Sequence, residues 1–78
     1  MNYTIWCERN SANGNVINVL GKDNQWHIAA NDVRRFDSVY EARKFFFSKK
    51  ADDVQPVGSN IWVRGPRGGI YPMRREAA

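Results

Sequence analysis

The sequence predicts an α+β fold: an antiparallel β-sheet with one amphipathic helix packed on a face, its elements running β-β-β-α-β-β along the chain. Three observations predict it. Before residue 30, short stretches rich in β-branched and aromatic residues alternate in polarity between clusters of turn formers. Residues 39–50 lack Gly and Pro and carry apolar side chains at helical spacing. After residue 60, two further β-rich stretches flank a Gly/Pro turn. The 78 residues make one small domain, with a β-meander over 1–30, a helix over 38–50, a β-hairpin over 60–73 and a frayed tail over 74–78.

The first strand is read at Tyr3-Thr4-Ile5-Trp6-Cys7, where Tyr3, Ile5 and Cys7 share a face. Turn formers cluster from Asn10 to Asn15, and Asn13-Gly14 is a favoured pair for a tight hairpin because both central residues need positive φ. Val16–Leu20 reads as the second strand, 21–24 as a turn, and Gln25–Ala29 as the third strand with Trp26 and Ile28 on one side. Ser38-Val39-Tyr40-Glu41 has the spacing of a capping box, in which the serine hydroxyl accepts from the backbone N–H three residues on. Behind it Val39, Ala42 and Phe46 fall on one helical face beside Phe45, and Arg43, Lys44, Lys49 and Lys50 cover much of the rest. Phe36, just before the cap, pins the start of the helix to the core. A loop follows over 51–60. Strands at Asn60–Arg64 and Ile70–Met73 close the sheet, and Pro72 confines the last one to an edge or a strand end.

The formal charge is +4, and it is uneven. Residues 1–33 carry a net −1, whereas 34–50 carry a net +4 and 60–78 a net +3, separated by Asp52 and Asp53. Such a field attracts phosphates or acidic protein surfaces, although a small domain also uses net charge simply to stay dispersed. No apolar run approaches the roughly 20 residues that span a bilayer, so no membrane partner is expected. The N-terminal residues lack the pattern of a secretory signal. A lone cysteine, Cys7, leaves no intramolecular disulfide and fits a reducing cytoplasm.

The chemistry-bearing residues are few. One Cys and one His cannot make a zinc site by themselves, and no cofactor is expected. Cys7 with His27 as base is the one nucleophilic pair available, but a lone strand cysteine is more often a small buried hydrophobe. The carboxylates sit in turns and at the helix start, where they act as caps. Gly65-Pro66-Arg67-Gly68-Gly69 is followed by neither Lys-Ser/Thr nor a helix, which separates it from phosphate-binding loops. The expectation is a non-catalytic module.

The most informative segment is the hairpin. Its glycines and Pro66 specify a rigid turn that presents Arg67, with Arg64 at the end of the preceding strand and Trp62 and Tyr71 flanking. If Trp62 and Tyr71 share a face, they form a stacking platform bordered by guanidinium groups, suited to single-stranded nucleic acid or to a protein hot spot. The alternative is a purely structural hairpin in which Trp62 packs under the helix and Tyr71 covers an edge. The candidate binding residues are Arg34, Arg35, Arg43, Lys44, Trp62, Arg64, Arg67 and Tyr71. In the leading reading they contact nucleic-acid phosphates, about four to six of them, with a steep salt dependence. In the alternative, the chain is an inhibitor or adaptor that docks an acidic protein surface. One continuous basic stripe favours nucleic acid, and scattered cations around an aromatic patch favour protein.

Val63-Arg64-Gly65-Pro66-Arg67-Gly68-Gly69-Ile70-Tyr71 resembles the glycine/arginine/tyrosine signature of the small basic adaptor domains in proteins of large algal DNA viruses. That resemblance implies an appended binding function, carried by Arg64, Arg67 and Tyr71. Trp26, Phe36-Asp37-Ser38 and Glu41-Ala42 resemble a pattern of short phage-encoded β-β-β-α proteins. The layout is also similar to sheet-plus-helix DNA-binding domains of the plant and integrase arm types, and implies a viral or mobile-element origin.

Overall fold

The computed structural model describes residues 2–11, 14–28, 32–48 and 60–74. Strands β1 (Thr4–Ser11), β2 (Gly14–Leu20) and β3 (Trp26–His27) precede helix α1 (Val39–Phe46), and β4 (Asn60–Arg64) and β5 (Ile70–Pro72) follow it. The predicted α+β order is the observed one. All five strands join in one antiparallel sheet, ordered β3-β2-β1-β4-β5, so β1 lies at its centre.

Because successive strand residues point to opposite sides, the register defines two faces. Ile5 lies opposite Val63, Cys7 opposite Asn18 and Ile61, and Leu20 opposite Trp26. This is the helix face. Ile5, Leu20 and Val63 pack there with Ala42 and Phe46 of α1, all at most 2% exposed. Each large apolar side chain buried in this way contributes about 1.5–3 kcal/mol. The helical spacing read from the sequence therefore selects the observed contact stripe, with Val39 and Phe45 packed at its margin. Ser38 caps the helix, its Oγ accepting from the Glu41 N–H at 3.1 Å. Phe36 packs against the core and lies 5.4 Å from Phe45, ring to ring.

Several element boundaries differ from expectation, among them the end of β5 at Pro72 rather than Met73. The helix ends at Phe46 rather than residue 50, and Ser48 explains the stop: its hydroxyl donates to the Phe45 carbonyl at 2.6 Å and its N–H donates there too. Lys49, Lys50 and the 51–59 loop lie outside the described residues. β1 continues to Ser11, because pairing with β2 overrides the turn preference of its polar end, and Gly14 (φ 110°) is already a strand residue paired with Ser11. β3 is only two residues long. Ile28 is 79% exposed, with nothing beneath it to reward extension, and Ala29 lies outside the described residues. Finally, residues 32–36 tie two strands together. The β1–β2 ladder stops at Trp6 and Val19; beyond it Val33 bridges Gly21 at the end of β2, and Phe36 bridges Tyr3 at the start of β1.

The two described turns are built alike. In each, a first residue donates to the carbonyl four residues on and accepts from the N–H three residues on. Gly21 bonds Gln25 at 2.9 Å and Asn24 at 3.1 Å, and Gly65 bonds Gly69 at 2.9 Å and Gly68 at 3.1 Å. The fourth residue is left-handed in both, Asn24 at φ 62° and Gly68 at φ 82°. This is the three-residue hairpin loop with a bulge that needs a residue tolerant of positive φ. Since β2 and β4 both run antiparallel to β1, both turns project from the same end of the sheet.

A Cβ on Gly68 meets no atom within 4 Å, so Gly68→Ala tests backbone strain alone. It is expected to destabilise the domain by about 1–2 kcal/mol, read as a lower urea midpoint at unchanged m-value.

Candidate functional site

The hairpin turn decides what the hairpin presents. The bulge sets Arg64 opposite Ile70, Val63 opposite Tyr71 and Trp62 opposite Pro72. Tyr71 thus shares the helix face with Val63, while Trp62 lies on the other side of the sheet. The two aromatics expected to form one platform are on opposite faces. Nor does Trp62 pack under the helix.

Trp62 has a different partner. It lies directly across from Trp6 of β1, on the open face opposite α1. One row on this face runs through all five strands: His27, Val19, Trp6, Trp62 and Pro72. The next row toward the turn end holds Thr4, Arg64 and Ile70, and the row beyond Trp6 holds Ile17, Glu8 and Asn60. The Arg64 guanidinium lies 5.7 Å from the Trp6 ring centroid, within cation–π range. Trp6 Nε1 donates to Thr4 Oγ1 at 2.7 Å, which fixes the indole. Both tryptophans are half-buried, and Val19 between Trp6 and His27 is fully buried. Among the described residues no helix covers this face.

The cations separate into two groups. Arg43, expected on the basic outer side of the helix, is 8% exposed, and its Nε and Nη2 donate to the Pro72 carbonyl at 3.2 and 2.8 Å. It fastens α1 to the edge strand β5, whose carbonyl has no further strand beside it. Arg34 donates from Nη2 to the Lys22 carbonyl at 2.8 Å and lies 4.7 Å over the Phe45 ring, with Nε buried and unpaired among the described residues. It fastens the first turn to the helix. Arg35, Lys44, Arg64 and Arg67 remain exposed. Arg64 belongs to the open face, Lys44 to the helix and Arg67 to the hairpin tip, so the cations are scattered rather than aligned in one continuous stripe, the arrangement that favours a protein partner.

No protein family, curated protein or solved structure matches this chain.

Cys7 and His27 do not meet. Cys7 is fully buried on the helix face, whereas His27 pairs with Val19 on the open face and its Nε2 lies 3.0 Å from both Asp23 carboxylate oxygens. The His27 ring covers Gly21, where a Cβ would stand 2.7 Å from it. No described helix is long and apolar enough to cross a membrane.

Sequence reasoning missed Trp6 and Tyr3. A readable signal for Trp6 existed: it is an aromatic on the side of β1 that Tyr3, Ile5 and Cys7 leave, where an amphipathic strand ordinarily turns polar. Tyr3 was read only as a core-side residue. Its role beside Gly65 depends on the pairing of β1 with β4, which distant segments decide.

Two outcomes follow. Arg43→Ala should cost about 1.5–3 kcal/mol, because two charge-assisted hydrogen bonds and the packing of a side chain only 8% exposed are lost. Arg43→Lys should recover only part of it, as one ammonium cannot reproduce two fixed guanidinium donors; urea unfolding measures both. Asp23 is held below its ordinary value of 3.8, first by the His27 hydrogen bond and then by the Gln25 N–H. A depressed carboxyl stabilises the fold above its unfolded pKa and loses that contribution as pH falls through the folded value. In His27→Ala, carboxyl NMR should therefore show Asp23 titrating at a higher pH, closer to 3.8.

Proposed function

We propose that this chain is a non-catalytic module that binds single-stranded nucleic acid on the open face of its sheet. The observation that carries the reading is the cross-strand pair Trp6–Trp62 with Arg64 over Trp6. β1 and β4 lie inside the sheet, so the indoles stand on its most rigid part. Splayed bases stack on aromatics presented in this way, at about 1–3 kcal/mol per base. Arg64 lies toward the turn end beside Trp6 and supplies the phosphate contact, while Glu8 at the far end repels the backbone and gives the site a direction. The basic helix surface is not required. One phosphate contact rather than four to six implies a shallow salt dependence, with a log–log slope of about −0.7 for a single strand.

A second reading keeps the same face and exchanges the partner for an acidic protein surface. The scattered cations favour it, as do Ile17 and Ile70, 49% and 66% exposed in the rows beside the tryptophans. An acidic partner paired with Arg64 also weakens with salt, so tryptophan quenching by an oligonucleotide, rather than salt alone, separates the two readings.

Titration with a short oligothymidylate of about eight nucleotides, within the usual site sizes, should quench tryptophan fluorescence. Trp62→Leu should weaken binding about tenfold or more, the scale of one lost stack. Arg64→Gln should reduce the salt slope by about 0.7. Trp26→Phe, on the helix face, should bind like the wild type. Absence of quenching at low salt with micromolar protein, or equal affinity in Trp62→Leu, rules the nucleic-acid reading out.

A further inference from the structure

On the helix side of the sheet, at the turn end, a cavity of about 510 Å³ is lined by Tyr3, Gly65, Pro66, Arg67, Gly69 and Tyr71. Its size falls within the range of roughly 300–1,000 Å³ usual for small-molecule sites. Continuation of the β1–β4 ladder sets Tyr3 beside Gly65, and Tyr71 stands on the neighbouring strand β5. Gly65 has no side chain to fill the space between the rings. A Cβ placed there would lie 3.2 Å from Tyr3 Cε2 and 3.5 Å from Tyr71 Cε2. The first is tighter than ordinary contact and the second is ordinary contact, so both rings lie against the Gly65 backbone, and Tyr71, 40% exposed, keeps part of its ring open to the cavity. The cavity floor continues over Gly69, where a Cβ would lie 3.0 Å from the Tyr71 hydroxyl. Among the described residues the Arg67 guanidinium and the Tyr71 phenol have no hydrogen-bond or ionic partner.

The geometry points to a nucleoside-phosphate site: a planar base stacked on the Tyr71 ring within the cavity, and its phosphate on Arg67. Stacking alone accepts any base, and Arg67 selects the anion. This site lies on the opposite face from Trp6 and Trp62. It deepens the nucleic-acid reading, because the ligand is either the terminal nucleotide of a bound strand or a free mononucleotide.

The test is an NMR titration of the full chain with adenosine monophosphate, alongside oligothymidylate with and without a 5′-phosphate. Adenosine monophosphate should shift the Gly65 and Gly69 amides and leave the Trp6 and Trp62 indoles unmoved. Arg67→Gln, a substitution at an exposed turn position, should weaken the mononucleotide about tenfold, as one lost charge-assisted bond does. Tyr71→Leu should do the same and Tyr71→Phe should not, since the ring is the wall. Absence of shifts at millimolar nucleotide, or unchanged affinity in Arg67→Gln, overturns the site. A phosphorylated oligonucleotide that binds tighter than adenosine monophosphate, through the same amides, supports the site with the strand end as ligand; equal affinity supports it with the free nucleotide. Loss of mononucleotide binding with tryptophan quenching intact removes this site alone, and mononucleotide binding without quenching removes only the open-face reading.

Discussion

β1 is hydrogen-bonded along both edges, to β2 from Trp6 to Ser11 and to β4 from Thr4 to Glu8. Because the side-chain period is two, a slip of one residue on either edge would turn a whole neighbouring strand over. The apolar set resists that. Ile5, Leu20 and Val63 face α1 together in only one register, and their burial is the largest stabilising contribution a chain of this size can assemble. With that register in place, Trp6 stands across from Trp62 and Tyr3 falls beside Gly65. The presentation of the binding surfaces is thus a by-product of how the core is packed.

Among the described residues, one helix covers one face of the five-stranded sheet and none covers the other. Val19 is fully buried there and Val33, bridged to Gly21, is nearly so. Large flat side chains provide that cover: the indoles over the central strands and the His27 ring over Gly21. Trp6 and His27 stand on either side of Val19 in the register, and an indole is also well suited to stack on a base. Structural and binding roles of Trp6 and Trp62 therefore do not compete. A substitution that removes an indole is expected to affect both, which is why the salt slope, belonging to Arg64, separates them.

The element order, the Ser38 cap, the helix stripe and the hairpin were legible because each rests on local chemistry: spacing, a hydroxyl three residues from an N–H, and glycines. Two things were not. The fate of the arginines was hidden, since Arg43 and Arg34 spend their donors on carbonyls of Pro72 and Lys22, distant in sequence. Charge along the chain counts cations but does not say which are already engaged. The extent of β1 and β3 was hidden for a related reason, as strand ends depend on what pairs beside them, with Ser11 kept by Gly14 and Ile28 left without support.

The separation of Trp62 from Tyr71 comes down to one residue of loop. The left-handed Gly68 closes a bulged turn that pairs Arg64 with Ile70. A hairpin shifted by one residue would place Trp62 opposite Tyr71, on a single face. The observed turn instead gives the hairpin two working sides, with Trp62 and Arg64 toward the open face, Gly65 and Tyr71 toward the helix face, and Arg67 at the tip. Gly65 follows directly from that division. It stands where β4 turns its next side chain toward Tyr3 and Tyr71, and any Cβ there would press against both rings. The glycines of this loop accordingly have different roles: Gly68 sets the register, and Gly65 lets the Tyr3 and Tyr71 rings lie against the turn.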